Sequence, residues 1–226
     1  MMGVPHVLHL IDSLALGGAE RMAVEIANAT DPARFHVSVC VSRSGLEFAS
    51  RLRPGIPCVA LVRRSRFDLS GFRGLVRHCR DARVDLIHAH SLPSSGLATV
   101  AAAFGPVPPV LLHEHNGDVE MGWRPSLWQR LLLRHRPPFV VGVHPGLVDV
   151  LVDAGIAKAR TRVIRNGLSL DPYLPLRPAS RRQDGTLMGL AVANVRPAKD
   201  IELLIRAVAR QPGIHVQVAG ILADPV

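Results

Sequence analysis

VPHVLHLIDSLALGGAERMAVEIANA, residues 4–29, is the stretch that decides the fold. Its apolar run, Val4 to Ile11, ends in the polar pair Asp12-Ser13, and a short loop leads to Gly17-Gly18-Ala19-Glu20. From Ala19 to Ala29 the apolar residues Ala19, Met22, Ala23 and Ile26 recur at three- and four-residue spacing, with Glu20, Arg21 and Glu25 on the other side. That is the period of an amphipathic helix. The unit reads strand, glycine loop, helix. Glycines before a helix let a ligand approach the backbone, and the free N–H groups of the first turn suit a phosphate. A tight turn that binds nothing fits the two glycines equally well, and the dinucleotide fingerprint Gly-x-Gly-x-x-Gly is absent.

Working outward, strand-like runs alternate with helical ones. Phe35–Val41, Cys58–Val62, Val84–His88, Pro109–His113, Phe139–Val143 and Arg162–Arg165 are the strands; Leu69–Ala82, Ser94–Phe104, Pro125–Arg134 and Gly146–Ala154 are the helices. This order predicts an α/β fold, a Rossmann-like sandwich of parallel strands with crossover helices on both faces. Ligands of such sheets sit beyond the carboxyl ends of the strands. Three polar clusters fall there: Asp12-Ser13-Leu14, His88-Ala89-His90-Ser91 and His113-Glu114-His115-Asn116. Each His-x-His pair shares a strand face while the strand continues. Metal ligation is the lesser reading, because both pairs straddle expected strand ends. The better one gives each pair a structural residue and a hydrogen-bonding group in the cleft.

Composition excludes several classes. The 226 residues are 48% hydrophobic, enough for a large core without staples. Cys40, Cys58 and Cys79 form an odd, scattered set in apolar or helical stretches, which predicts buried free thiols in a reducing compartment. Met1-Met2-Gly3 carries no basic cluster, and the apolar stretch near Leu97–Leu112 is broken by Gly105, Pro106, Pro108 and Pro109. A cytoplasmic protein is expected. The formal net charge is +9, and 25 of the 27 basic residues are arginine. Ten arginines lie between Arg43 and Arg83 against Glu47, Asp68 and Asp81, and the Trp123–Arg136 segment adds a basic amphipathic pattern. Nucleic acid ranks last as a partner because no nucleic-acid-binding motif accompanies the charge. An anionic membrane or an anionic small substrate fits better, and a solvated arginine-rich surface fits best.

After Arg165 the character changes. Residues 1–168 read as the first domain, and 169–185, rich in Pro, Arg and Ser, as a linker. Residues 186–226 read as an incomplete second Rossmann-like domain: strand Leu187–Ala193, loop Asn194–Asp200, helix Ile201–Arg210 and strand Ile214–Ala219.

Four motifs in order resemble glycosyltransferase family 4, retaining enzymes of the GT-B fold. They are Leu10-Ile11-Asp12-Ser13 with Gly17-Gly18-Ala19-Glu20; Asp85-Leu86-Ile87-His88-Ala89-His90; Val163-Ile164-Arg165-Asn166-Gly167-Leu168; and Val192-Ala193-Asn194-Val195-Arg196-Pro197-Ala198-Lys199-Asp200. The resemblance implies two Rossmann-like domains, the first on the acceptor side. It implies transfer from a nucleotide sugar to a glycan or lipid-linked acceptor, with retention and with no metal or other cofactor. Peripheral contact with an anionic membrane is part of that expectation. Gly17, Gly18, Asn166, Arg196 and Lys199 are then the donor-binding residues, with Lys199 neutralising the leaving diphosphate. Arg196 stands two positions after Asn194, where the family carries an arginine. His144 stands where the family often has serine. His115 or His113 would face the reacting sugar, and Ser13, His90 and Asn116 would line the acceptor side. The family's pair of glutamates eight positions apart has no counterpart before Val226, so the chain is expected to be a fragment without transferase activity of its own. A sugar-nucleotide epimerase of the same fold and a non-catalytic membrane-associated module are the alternatives; the absent fingerprint disfavours a nicotinamide oxidoreductase.

Overall fold

A computed structural model describes residues 3–65, 68–115, 131, 138–153, 155–170, 185–193, 195 and 199–220. Parallel pairing organises the first of its two compact units, Met1–Leu170. The elements are β1 (His6–Ile11), α1 (Gly18–Ala29), β2 (His36–Val41), β3 (Cys58–Ala60), α2 (Leu69–Asp81), β4 (Leu86–His90) and α3 (Ser91–Phe104). They continue with β5 (Val110–Glu114), β6 (Phe139–Gly142), α4 (Pro145–Asp153) and β7 (Thr161–Val163). The sheet order is β3-β2-β1-β4-β5-β6-β7 and every pair is parallel. The order reverses between β1 and β4, the switch point where open α/β sheets bind ligands.

The two sheet faces carry separate cores. On one, Leu8, Leu10, Ile87, Ala89 and Leu112 pack with Leu75 and Cys79 of α2, Leu97, Ala98 and Ala101 of α3, and Leu147 and Leu151 of α4. On the other, Ile11, Val37, Val39 and Val41 meet Ala23, Val24 and Ala27 of α1 together with Phe48. Alternation along each strand sends successive side chains to opposite faces, so these sets follow directly from the apolar runs.

Two boundaries that differ from the sequence reading bear on the site. β4 continues through His90 and passes into α3 at Ser91 without a connecting loop, because Ser91 takes the left-handed conformation, φ 63°. β5 likewise extends through Glu114. His88, His90 and His113 therefore sit within strands and not beyond their ends; of the four paired histidines, His115 alone follows a strand. His144 has a local role: its Nδ1 accepts a hydrogen bond from the Leu147 N–H at 3.2 Å, capping α4 as a serine would, with Pro145 at the first helical position. The thiols are free: Cys40 and Cys79 are buried, which pushes both up to about 12, while Cys58 is half-buried.

The second unit, Asp171–Val226, holds β8 (Leu187–Val192), α5 (Ile201–Val208) and β9 (Ile214–Ala219). β8 and β9 pair in parallel, and Asp200 caps α5 by accepting from the Leu203 N–H. Most of the expected linker, and the Trp123–Arg136 segment apart from Leu131, lie outside the described residues.

Candidate functional site

The open end of α1 forms one side of a cavity of about 350 Å³, lined by Gly18, Ala19, Arg21, Met22, His115, Asn166, Gly167 and Leu168. Gly17 is the residue before the helix, in extended backbone that makes no side-chain cap. A Cβ at Gly17 would run into the Glu20 carboxylate, whereas a Cβ at Gly18 would meet nothing within 4 Å. Gly18 thus presents bare helix backbone to the cavity, and Gly17 sits beneath Glu20. The first-turn N–H groups and the positive end of the helix favour an anion there.

Arg21 was not among the residues the sequence pointed to. It follows the diglycine by one helical turn, lines the cavity and leans 3.7 Å from Glu25. Its position one turn into a glycine-led helix was the signal that could have found it.

His115 and Asn166 close the opposite side, and the Asn166 side chain favours the charged form of His115. Burial outweighs that and takes His115 down to about 4. Behind His115 stand four more buried histidines: His113, His90, His88 and His9. Burial, reinforced by repulsion between the rings, pushes His88 and His90 well below the usual histidine range, His113 to about 3 and, by burial alone, His9 to about 4. All five are neutral near pH 7. His90 is completely buried, so it reaches the cavity only through His115. His9, His88 and His90 bring nitrogens within 4.8 Å of one another, as do His90, His113 and His115. Those nitrogens are largely engaged with each other, and their rings lie near parallel, with interplanar angles of 6° to 39°. Among the described residues these are the groups that could take a metal.

At the end of β1, Asp12 gathers Ser42, Arg63 at 2.9 Å and Arg43 at 3.2 Å. The Arg63 side chain is only 4% exposed, and its methylenes lie against Gly71 of α2, where a Cβ would sit 2.9 Å away. Arg63 is therefore a core cation and not part of a basic surface. Arg63→Ala should cost about 2–3 kcal/mol, the scale of a charged hydrogen bond lost from a largely buried pair. Urea unfolding checks this, and a loss below about 0.5 kcal/mol would show that Arg43 alone satisfies Asp12.

Ser13 is half-buried at the end of β1 and does not line the cavity. Lys199 lies in the second unit, exposed, immediately before the Asp200 cap. Asn116 and Arg196 lie outside the described residues.

A parallel α/β sheet with a cavity at its first strand–helix turn defines a Rossmann-like domain. The model of Glycosyltransferase Family 4 matches residues 16–172, and the chain belongs to that family. It is 27% identical over 165 residues to the D-inositol 3-phosphate glycosyltransferase of Mycobacterium tuberculosis, covering 69% of this chain and 31% of that protein. The chain thus spans about a third of the length of the curated relatives it matches. Its fold is similar to that of Anabaena HepE, solved in complex with UDP and glucose (TM-score 0.74, 20% identity, 95% of this chain and 60% of that one). It is also similar to sucrose-phosphate synthase from Thermosynechococcus elongatus (TM-score 0.67, 16% identity, 96% and 62%). Among the described residues, no helix is long and apolar enough to cross a membrane.

Proposed function

We propose that the chain supplies the acceptor-side domain of an enzyme that moves a sugar from a nucleotide-sugar donor to a glycan or lipid-linked acceptor with retention of configuration. The observation that carries this is the cavity that places Gly18, Arg21, His115 and Asn166 around one space. The helix end and Arg21 hold phosphate charge, while His115 and Asn166 hydrogen-bond sugar hydroxyls. His113, buried behind His115, supports it from within the sheet. Lys199 takes the part of neutralising the negative charge that grows on the leaving diphosphate. With cationic groups in that role the reaction needs no metal. HepE, the similar structure holding UDP and glucose, supports the choice of donor class. The reading places the protein in the cytoplasm at the inner face of a membrane. Arg63 contributes nothing to such contact, since it is withdrawn into the core.

The test uses the protein expressed from its whole reading frame, with a panel of uridine- and guanosine-diphosphate sugars and glycan and lipid-linked acceptors. Glycosyl transfer with the donor's anomeric configuration kept, and unchanged by a chelator, is expected. An inverted product, or conversion of the nucleotide sugar to its epimer without an acceptor, would overturn the reading.

A further inference from the structure

Five histidines stack in two rows behind the cavity. In the first, His9 Nδ1 lies 2.9 Å from His90 Nε2, and His90 Nδ1 lies 3.0 Å from His115 Nε2. The rings are nearly coplanar, at 16° and 18°, so the contacts run edge to edge. His88 and His113 form the second row, stacked on the first at 4.3 Å over His90 and 4.0 Å over His115 between centroids. Strand register builds both: His9 stands beside His88, and His90 beside His113.

The first row has three neutral rings, hence three N–H groups, but only two contacts. Each contact takes one N–H and one lone pair. The direction at one contact therefore fixes the other, and one N–H is left over at an end of the row. That surplus falls either on His9 Nε2, at the inner end, or on His115 Nδ1, at the outer end. The two ends are unlike. His9 is 1% exposed, and among the described residues nothing accepts a hydrogen bond from its Nε2. An N–H there would be an orphan out of reach of any ligand, and an orphaned N–H is the costlier kind; a spare lone pair is better tolerated. His115 Nδ1 makes no close hydrogen bond within the protein either, but His115 lines the cavity, and the Asn166 side chain beside it favours a proton on the ring. The surplus N–H thus belongs at the cavity. His9 donates from Nδ1 to His90 Nε2, His90 donates from Nδ1 to His115 Nε2, and His115 keeps its own proton on Nδ1, on the side away from the row.

We propose that His90 is a positioning residue that holds His115 as a hydrogen-bond donor, through Nδ1–H, to an oxygen of the sugar in the cavity, so that His115 does not act there as a base. The proposal rests on the cavity being the sugar site. The same direction suits the rest of the wall, where the first-turn N–H groups of α1 and the Arg21 guanidinium are donors as well.

Nitrogen-15 NMR of the histidine-labelled full chain tests it. At pH 7.5 His115 should show a protonated Nδ1 and an unprotonated Nε2. The proton between His90 and His115 should be attached to His90 Nδ1 and coupled to His115 Nε2. A wild-type His115 protonated on Nε2, or a mixture of the two forms, overturns the proposal without any variant. His90→Leu removes the donor, and His115 should then lose its single pattern as Nε2 gains a share of the proton. His90→Asn, whose amide N–H can stand in for the donor, should restore it. An unchanged His115 in a folded His90→Leu protein would overturn the role of His90. Stoichiometric zinc that abolishes the N–H signals of the row would replace the proposal with a metal centre. UDP-glucose is the ligand probe, and at saturation it should move the His115 Nδ1 proton. If the wild-type pattern holds while that proton stays unmoved, the direction of the row stands and the reading of the cavity as the sugar site falls.

Discussion

Lowering the pH from 7 to 5 should unfold the first unit cooperatively, and urea midpoints measured across that range would show it. The sign follows from where protons bind. In the unfolded chain the histidines titrate near 6.5; in the folded one His9 and His115 titrate near 4, His113 near 3, and His88 and His90 well below 6.5. Between those limits the unfolded state holds more protons, so stability is complete above pH 6.5 and falls as pH drops. Each such group removes about 1.4 kcal/mol per pH unit. Five acting together can offset most of the roughly 5–15 kcal/mol that holds a domain. Asp68, held near 2 by the backbone N–H of Arg64 and by Ser70, loses its contribution only below pH 4, so the two effects separate. His9→Gln removes one titrating ring and should flatten the slope by about 1.4 kcal/mol per unit. Stability that stays level between pH 7 and 5 would mean that the rings admit water and titrate normally.

Gly18→Val should abolish binding of a nucleotide sugar while leaving the fold intact. The new side chain has open space, since nothing lies within 4 Å of its Cβ, and that space is the cavity itself. Stability should shift by no more than about 0.5 kcal/mol, as for a surface substitution. Turnover should fall roughly 100-fold or more, because a displaced phosphate misplaces the reacting sugar. Gly17→Val makes the contrast: its Cβ would displace only the flexible Glu20 carboxylate, so a smaller loss is expected. Equal activity for wild type and a folded Gly18→Val protein, assayed from the whole reading frame, would remove the helix end from the site.

The parallel α/β sheet was legible because its signals are local. Apolar runs of strand length and the three–four spacing of Ala19, Met22, Ala23 and Ile26 need no tertiary knowledge. What failed was the end of β4. The sequence reading stops the strand at His88 and begins the helix at Ser94, yet Ser91 in left-handed backbone starts the helix at once. Arg63 read as surface charge because neither Asp12, 51 residues away, nor the room left by Gly71 is visible in a linear pattern. The histidine rows were half legible. Alternation puts His88 with His90 and His113 with His115, but only the sheet order brings His9 to the same place. Arg21 was hidden by its ordinary role on the polar side of α1.

The direct passage from β4 into α3 leaves no slack between a sheet and a helix. Ser91 is the last point at which the chain could bend, and its left-handed backbone is already committed. Ser95, one turn further, ties α3 to β5 through Glu114 at 2.8 Å. His90 is therefore geared to α3: a displacement of that helix has no loop in which to dissipate and is delivered to the ring that joins His9 to His115. A push on the far face of the sheet would be felt at the cavity as a change in hydrogen-bond length.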